Sequence, residues 1–171
     1  MFKIRNFRGE SDRNKIAELL ENVPSFTRDE KEVAMELVDV TINNPNIPTS
    51  KENDGYKFLL ATLEIDNLKS EVVVGYICYG ATAMTSGTYD LFWIATHSDY
   101  LNKGIARSLI VHMLEEIKSY DGRLVRVETS GQELYKGVRD FYLKLDFIEE
   151  ARIKDFYKIG DDLVIYTYRI L

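Results

Sequence analysis

Apolar and polar positions alternate at the start of the chain, where Phe2, Ile4 and Phe7 are set among Lys3, Arg5 and Asn6. That period of two predicts a half-buried strand, closed by Gly9. The period then lengthens. Ser11 offers a helix N-cap, and Ile16, Ala17, Leu19 and Leu20 mark a short helix ending near Pro24. Thr27 or Asp29 can cap a second helix through Val33, Ala34, Leu37, Val38 and Ile42. Asn43 to Lys57 is polar, rich in turn formers and aperiodic, so a surface loop is expected there. Three strand-like runs follow, Phe58 to Ile65, Glu71 to Tyr79 and Thr88 to Thr96, separated by 67–70 and by the small residues from Gly80 to Gly87. An antiparallel meander is their simplest pairing.

Past Thr96 the apolar residues Ile105, Ala106, Leu109, Ile110, Met113, Leu114 and Ile117 fall on one helical stripe, ending near Asp121-Gly122. Arg123 to Thr129 reads as a strand, and a second amphipathic helix is expected to bury Leu134, Val138, Phe141, Tyr142 and Leu145. Phe147 to Ile159 and Leu163 to Ile170 read as two strands joined by a tight turn at Gly160-Asp161-Asp162. No repeat, low-complexity tract or linker interrupts this order. One domain over residues 1–171 is expected, an α/β (α+β) fold with helices on both faces of a mixed sheet.

Composition narrows the function. With 45% hydrophobic residues among 171, the chain can bury a full core. No apolar run is long enough to span a membrane, and the charged start of the chain is unlike a signal peptide, so a cytoplasmic location is expected. The single cysteine, Cys78, can form neither an internal disulfide nor a CxxC metal pair, and it sits in an apolar run with no neighbouring base, so it reads as buried and inert. His97 and His112 lack metal-ligand spacing, and no metal is expected. A net charge of -6 argues against affinity for nucleic acid or an anionic membrane and mildly favours a cationic small molecule.

The segment from Tyr89 to Arg107 runs from a strand through a short polar loop into a helix. A helix start presents free N–H groups and the positive end of the dipole, and Gly104 and Ala106 lack the bulk that would keep a pyrophosphate from the main chain. Leu101-Asn102-Lys103-Gly104-Ile105-Ala106 resembles motif A of the GNAT superfamily of N-acetyltransferases, Gln/Arg-x-x-Gly-x-Gly/Ala, with Leu101 in place of Gln or Arg. Downstream, Phe141-Tyr142 and, after three residues, Asp146-Phe147 resemble the family's Phe-Tyr…Gly-Phe pattern, with Asp146 in place of Gly. Tyr135 stands where many members have Asn, and Val138 where Ala is frequent.

The resemblance implies a GNAT fold with a mostly antiparallel sheet and acetyl-CoA as co-substrate. It assigns the pyrophosphate to the main chain of Asn102, Lys103, Gly104, Ile105, Ala106 and Arg107, and the pantetheine arm to that of Ile94, Ala95 and Thr96. It also places Asp90 where several members carry a catalytic Glu, as general base, with Glu128 on the next strand as the substitute, and Tyr142 as the acid for the departing thiolate. Trp93 reads as core packing. Substrate contacts are expected from Glu21 to Arg28 and from Tyr157 to Asp162, although a polar turn is the simpler role for Asp161 and Asp162.

The leading expectation is direct transfer of an acetyl group to a primary amine, small molecule or protein, in a ternary complex. The alternative is a catalytically inactive acyl-CoA-binding regulatory domain. A dinucleotide-binding domain is disfavoured, because no GxGxxG follows the first strand. The sequence leaves the acceptor, the acyl preference and a homodimer open.

Overall fold

A computed structural model describes residues 1–44, 55–65 and 70–171. Most of the expected polar loop after Asn43 and residues 67–69 of the expected turn lie outside the described residues. The strands are β1 (Lys3–Asn6), β2 (Lys57–Ile65), β3 (Ser70–Ala81), β4 (Thr88–Thr96), β5 (Leu124–Ser130), β6 (Ile148–Lys158) and β7 (Asp161–Arg169). The helices are α1 (Glu10–Glu21), α2 (Arg28–Asn43), α3 (Ile105–Ser119) and α4 (Lys136–Leu143). The strands form one sheet in the order β1-β2-β3-β4-β5-β7-β6, antiparallel throughout except between β4 and β5. The meander β2-β3-β4 and the hairpin β6-β7 follow the sequence pattern. The insertion of β7 between β5 and β6 does not, because a strand's second neighbour is a long-range choice that periodicity leaves blank.

Each face of the sheet carries its own core. Ile16, Leu19 and Leu20 of α1 and Ala34 and Val38 of α2 pack on Phe58, Leu60, Val73, Tyr76, Cys78 and Ala95. On the other face Ile105, Leu109, Ile110, Met113 and Ile117 of α3 are at most 2% exposed against Val74, Ile77, Tyr79, Leu91 and Val125. At about 1.5–3 kcal/mol for each fully buried large aliphatic side chain, this stripe is the largest single attachment of a helix to the sheet. Gly75 makes room for it: a Cβ there would sit 2.7 Å from Ile105 Cγ2.

The helix ends follow from local chemistry. Thr27 and Glu30 form a capping box at the start of α2. Ser11 does not cap α1. The helix begins at Glu10 after Gly9 at φ 65°, and the Ser11 hydroxyl donates to the Arg8 carbonyl, while Asp12 accepts the Arg8 amide at 2.7 Å. At the end of α4, Phe147 N–H donates to Tyr142 O and Asp146 N–H to Leu143 O, with Asp146 at φ 63° and the Phe147 and Tyr142 rings 5.4 Å apart. This is a Schellman motif with Asp in the left-handed position, which explains how Asp146 stands where a glycine is usual. The expectation that α4 buries Leu134 and Val138 is corrected: they are 83% and 37% exposed. Leu134 belongs to a 3-10 turn, Glu133–Tyr135, that breaks the helical phase, and of α4 only Tyr142 is fully buried.

An ion network fixes α1 to the sheet. Arg5 of β1 donates to both carboxylate oxygens of Asp12, which is fully buried, at 2.7 and 2.8 Å, and also binds Glu71 of β3. Lys15 Nζ lies 3.3 Å from Glu71 Oε1. Burial opposes ionisation of Asp12, but hydrogen bonds from Arg5 and the Arg8 amide outweigh it and lower its pKa. The Arg5 hydrogen bond, against partial burial, holds Glu71 at about 2. Both carboxyls are depressed on folding, so their stabilisation is complete above the unfolded carboxylate range and is lost as pH falls toward 2. Thermal melts followed by circular dichroism are expected to drop most steeply between about pH 4.5 and 2, with a shallower decline for Glu71→Gln. Asp12→Ala is expected to cost about 3–5 kcal/mol at pH 7, because it leaves Arg5 short of its buried partner. Asp146→Gly is expected to gain up to about 1 kcal/mol and Asp146→Val to lose about 1–2 kcal/mol in denaturant titrations, since a β-branched residue tolerates the left-handed region worst.

Candidate active site

The centre of the sheet opens at one defined point. β4 and β5 pair in parallel from Thr88↔Leu124 to Leu91↔Val127 and no further. On its other side β4 stays on β3, but the register changes there: Tyr79 faces Leu91 and Cys78 faces Trp93, so Phe92 is an extra residue in β4. A bulge bends the strand that carries it. The bend falls where β4 leaves β5, so a gap opens between Phe92–Thr96 and the end of β5.

Main-chain groups face that gap. His97 N–H donates to Val74 O at 3.0 Å, and antiparallel alternation therefore turns the amides of Ala95 and Trp93 toward β3 as well. The N–H and C=O of Ile94 and Thr96 point the other way, into the gap. The Thr96 hydroxyl oxygen is buried and, among the described residues, has no hydrogen-bond partner.

At the end of β4 a 3-10 turn, Ser98–Tyr100, leads through Asn102 at φ 58° and Gly104 at φ 79° into α3. His97 caps that turn, its Nδ1 accepting from Asp99 N–H at 3.1 Å. Lys103 Nζ donates to Asp99 O and lies over the Tyr100 ring. Gly104 is the N-cap of α3 and Ser108 N–H takes its carbonyl, which leaves the N–H groups of Ile105, Ala106 and Arg107 without acceptors inside the helix. A Cβ at Gly104 would meet nothing within 4 Å, so the space beside the N-cap is open. Arg107 is exposed beside them.

Three charged residues line the β4–β5 junction on the face opposite α3. Asp90 and Arg126 are register partners. Asp90 Oδ1 accepts from Arg126 Nε at 2.6 Å and Oδ2 from Thr82 Oγ1 at 2.8 Å, so both oxygens are engaged. Arg126 Nη1 lies 3.3 Å from Glu128 Oε1. Glu128 is the first residue of β5 beyond the last paired rung that faces this side, and its side chain is 42% exposed against 13% for Asp90. The hydrogen bond to Asp90, the largest influence, raises the Arg126 pKa further and keeps it a cation.

Tyr142 is buried among Phe141, Phe147 and Tyr166, and burial pushes its phenol well above the usual range. The expected turn at Asp161 and Asp162 is displaced: the turn is Ile159–Gly160, and both aspartates open β7. Asp161 is buried and accepts from Ser130 Oγ, whose oxygen also takes the Gln132 amide. Arg139 Nη1 donates to the carbonyls of Ser130 and Gln132, fixing the Tyr135 turn to the end of β5. Partial burial raises the Tyr157 phenol, and the negative charges of Glu128, Asp161 and Glu30 add to it. Tyr135 responds to burial and then to Glu30 and Asp161. The start of α2, the end of β5 and the β6-β7 hairpin thus converge. Cys78 is fully buried, its thiol raised by burial, and Trp93 packs on Phe26 at 5.3 Å. Among the described residues no group of His, Cys, Asp and Glu could hold a metal ion, and no helix is long and apolar enough to cross a membrane.

The sequence model of the acetyltransferase (GNAT) domain matches residues 54–149, the stretch holding the bulge, the gap and the α3 start. The chain belongs to the GNAT acetyltransferase family. A GNAT-family protein of Desulfovibrio desulfuricans is 34% identical over 100% of both chains, with a TM-score of 0.87. At the level of fold, an N-acetyltransferase from Staphylococcus aureus superposes with a TM-score of 0.68 at 16% identity, over 100% of this chain and 99% of that one. Arabidopsis thaliana NAA60, solved in complex with acetyl-CoA, gives 0.72 at 14% identity, over 99% of each. A comparison with curated proteins gave no match.

As a GNAT acetyltransferase, the chain brings most of the residues expected from its sequence to one junction: Ile94, Ala95, Thr96 and residues 102–107 on one side, Asp90 and Glu128 on the other. Ala95 differs from its neighbours in turning its amide to β3. Arg126 carried no mark in the sequence. Its signal is the alternation Arg126-Val127-Glu128, whose meaning depends on which residue of β4 stands opposite.

Proposed function

We propose that this GNAT protein is an acetyl-CoA-dependent N-acetyltransferase of the cytoplasm, one domain over residues 1–171, that acetylates a primary amine by direct attack in a ternary complex. The parting of β4 from β5 carries the proposal. The amides of Ile94 and Thr96 turned into the gap, a Thr96 hydroxyl with no partner among the described residues, and three N–H groups without intrahelical acceptors at the start of α3 offer donors on this stretch of chain. They fit an elongated, phosphate-ended ligand. Acetyl-CoA supplies the thioester; the chain's own residues bind, orient and move protons. Residues 102–107 would hold the pyrophosphate through the main chain, and Arg107 would add charge. An amide of the gap would stabilise negative charge as it develops on the carbonyl oxygen.

The acceptor arrives as an ammonium of ordinary pKa near 10.4 and must lose a proton to attack. We assign that proton to Glu128, directly or through a water, rather than to Asp90, whose two oxygens are already engaged. Tyr142, kept protonated by burial, would supply the proton taken up by the departing thiolate, whose free pKa is about 8.5. Glu30, Glu128 and Asp161 around Tyr135 and Tyr157 favour a cationic acceptor. A second reading, an acyl-CoA-binding domain without turnover, draws on the engagement of Asp90.

Calorimetric titration with acetyl-CoA tests the shared premise: micromolar binding is expected, and its absence would overturn both readings. Gly104→Trp is expected to abolish that binding by filling the space beside the N-cap. CoA release with an amine panel separates the readings, since binding with no release leaves only the second. Tyr142→Phe is expected to lower kcat by about 100-fold with acetyl-CoA affinity kept; an unchanged rate would remove it as the acid.

A further inference from the structure

The parallel register does more than open the gap. It sets Asp90 beside Arg126, and both side chains leave the sheet on the face opposite α3, since their neighbours Tyr89, Leu91, Val125 and Val127 all enter the α3-side core. Asp90 is held from one side by Thr82 Oγ1 and engages Arg126 only through Nε. The hydrogen bond at Nε leaves both terminal nitrogens of the guanidinium free for a second carboxylate. Nη1 lies 3.3 Å from Glu128 Oε1, one residue past the last β4–β5 rung. Thr82, Asp90, Arg126 and Glu128 therefore form one series from the closed part of the sheet to the mouth of the gap.

We infer that Arg126 is a positioning residue for acetyl transfer: anchored by Asp90, it holds the Glu128 carboxylate at the mouth of the gap, where Glu128 takes the proton from the attacking amine. The inference rests on Glu128 being the base. In the step concerned, an N–H bond of the acceptor ammonium breaks and an O–H bond forms on Glu128, leaving a neutral amine and a neutral carboxyl group. Arg126 exchanges no proton. Its cation attracts Glu128 through an ion pair at 3.3 Å, while its hydrogen bond is made to Asp90. A carboxylate at Asp90 and another at Glu128 thus have different tasks: one anchors and the other reacts.

The test is steady-state CoA release from acetyl-CoA by the full chain, with spermidine as the amine probe and water alone beside it. Acetyl-CoA affinity is measured for every variant, and thermal melts check folding. Glu128→Gln is expected to lose about 100-fold in kcat, the share of a general base. Arg126→Met is expected to lose roughly 10- to 100-fold in kcat, as misplacing a reacting group does, with acetyl-CoA affinity unchanged. Arg126→Lys should recover only part of that loss, because a point charge cannot bridge two carboxylates as a fork does. Asp90→Asn should reproduce part of it. The Arg126→Met, Glu128→Gln double variant should be no slower than Glu128→Gln alone, since one residue acts through the other.

Additive losses in the double variant, or an Arg126→Met protein with wild-type kcat beside an impaired Glu128→Gln, would overturn the role of Arg126 and leave Glu128 as the base. A Glu128→Gln protein as fast as wild type, or wild-type protein that binds acetyl-CoA and releases no CoA with either nucleophile, overturns the base assignment and the inference with it. Should Arg126→Met fail to fold, Arg126→Lys and Asp90→Asn carry the same comparison.

Discussion

One extra residue in a central strand governs this molecule. β4 must stay paired to β3 along its whole length to complete the α1–α2 side of the core, yet it must leave β5 after Leu91. Phe92 reconciles the two by lengthening β4 on one edge only. A sheet interior normally satisfies its backbone groups on both sides, so amides left open in the middle of a seven-stranded sheet are a cost that folding alone does not justify. They make sense as groups reserved for a ligand. The rest of the architecture holds the two halves of the sheet in place while this seam stays open.

That support comes from both faces. On one, the α3 stripe packs across β2, β3 and β4, and Gly75 lets its first turn settle onto β3. On the other, α1 is tied to β1 and β3 by the Arg5, Asp12 and Glu71 network, and its last residues reach the end of β4, where Ser98 N–H donates to Asn22 O. The start of α3 and the end of β5 flank one opening.

The legible and illegible parts of the sequence divide by range. Element identity was legible because it is local: the α3 stripe, the Thr27 cap and the alternation in the strands each declare themselves within a turn or two. The start of α3 was legible because glycine at a helix start is local as well. Pairing was not. Nothing near Asp90 announces that Arg126 will stand opposite it, and its loss of both free oxygens follows from that contact. Leu134 and Val138 misled because the helical period was carried across a 3-10 turn, and Asp161 because a buried aspartate at the head of a strand has the same letter as one in a turn. Asp146 is an instructive exception, since the left-handed conformation absorbed what the sequence presented as a mismatch.

The place of β7 has a consequence for how the protein comes into being. β5, which forms one side of the opening, needs β4 on one side and β7 on the other, but β7 is made only after α4 and β6 have been made. During vectorial synthesis the half of the sheet from β1 to β4 can assemble early around α1 and α2, and the start of α3 soon after. The β5 side of the opening waits for the hairpin to turn back and insert. The opening between β4 and β5 is thus the last part of the sheet to be completed.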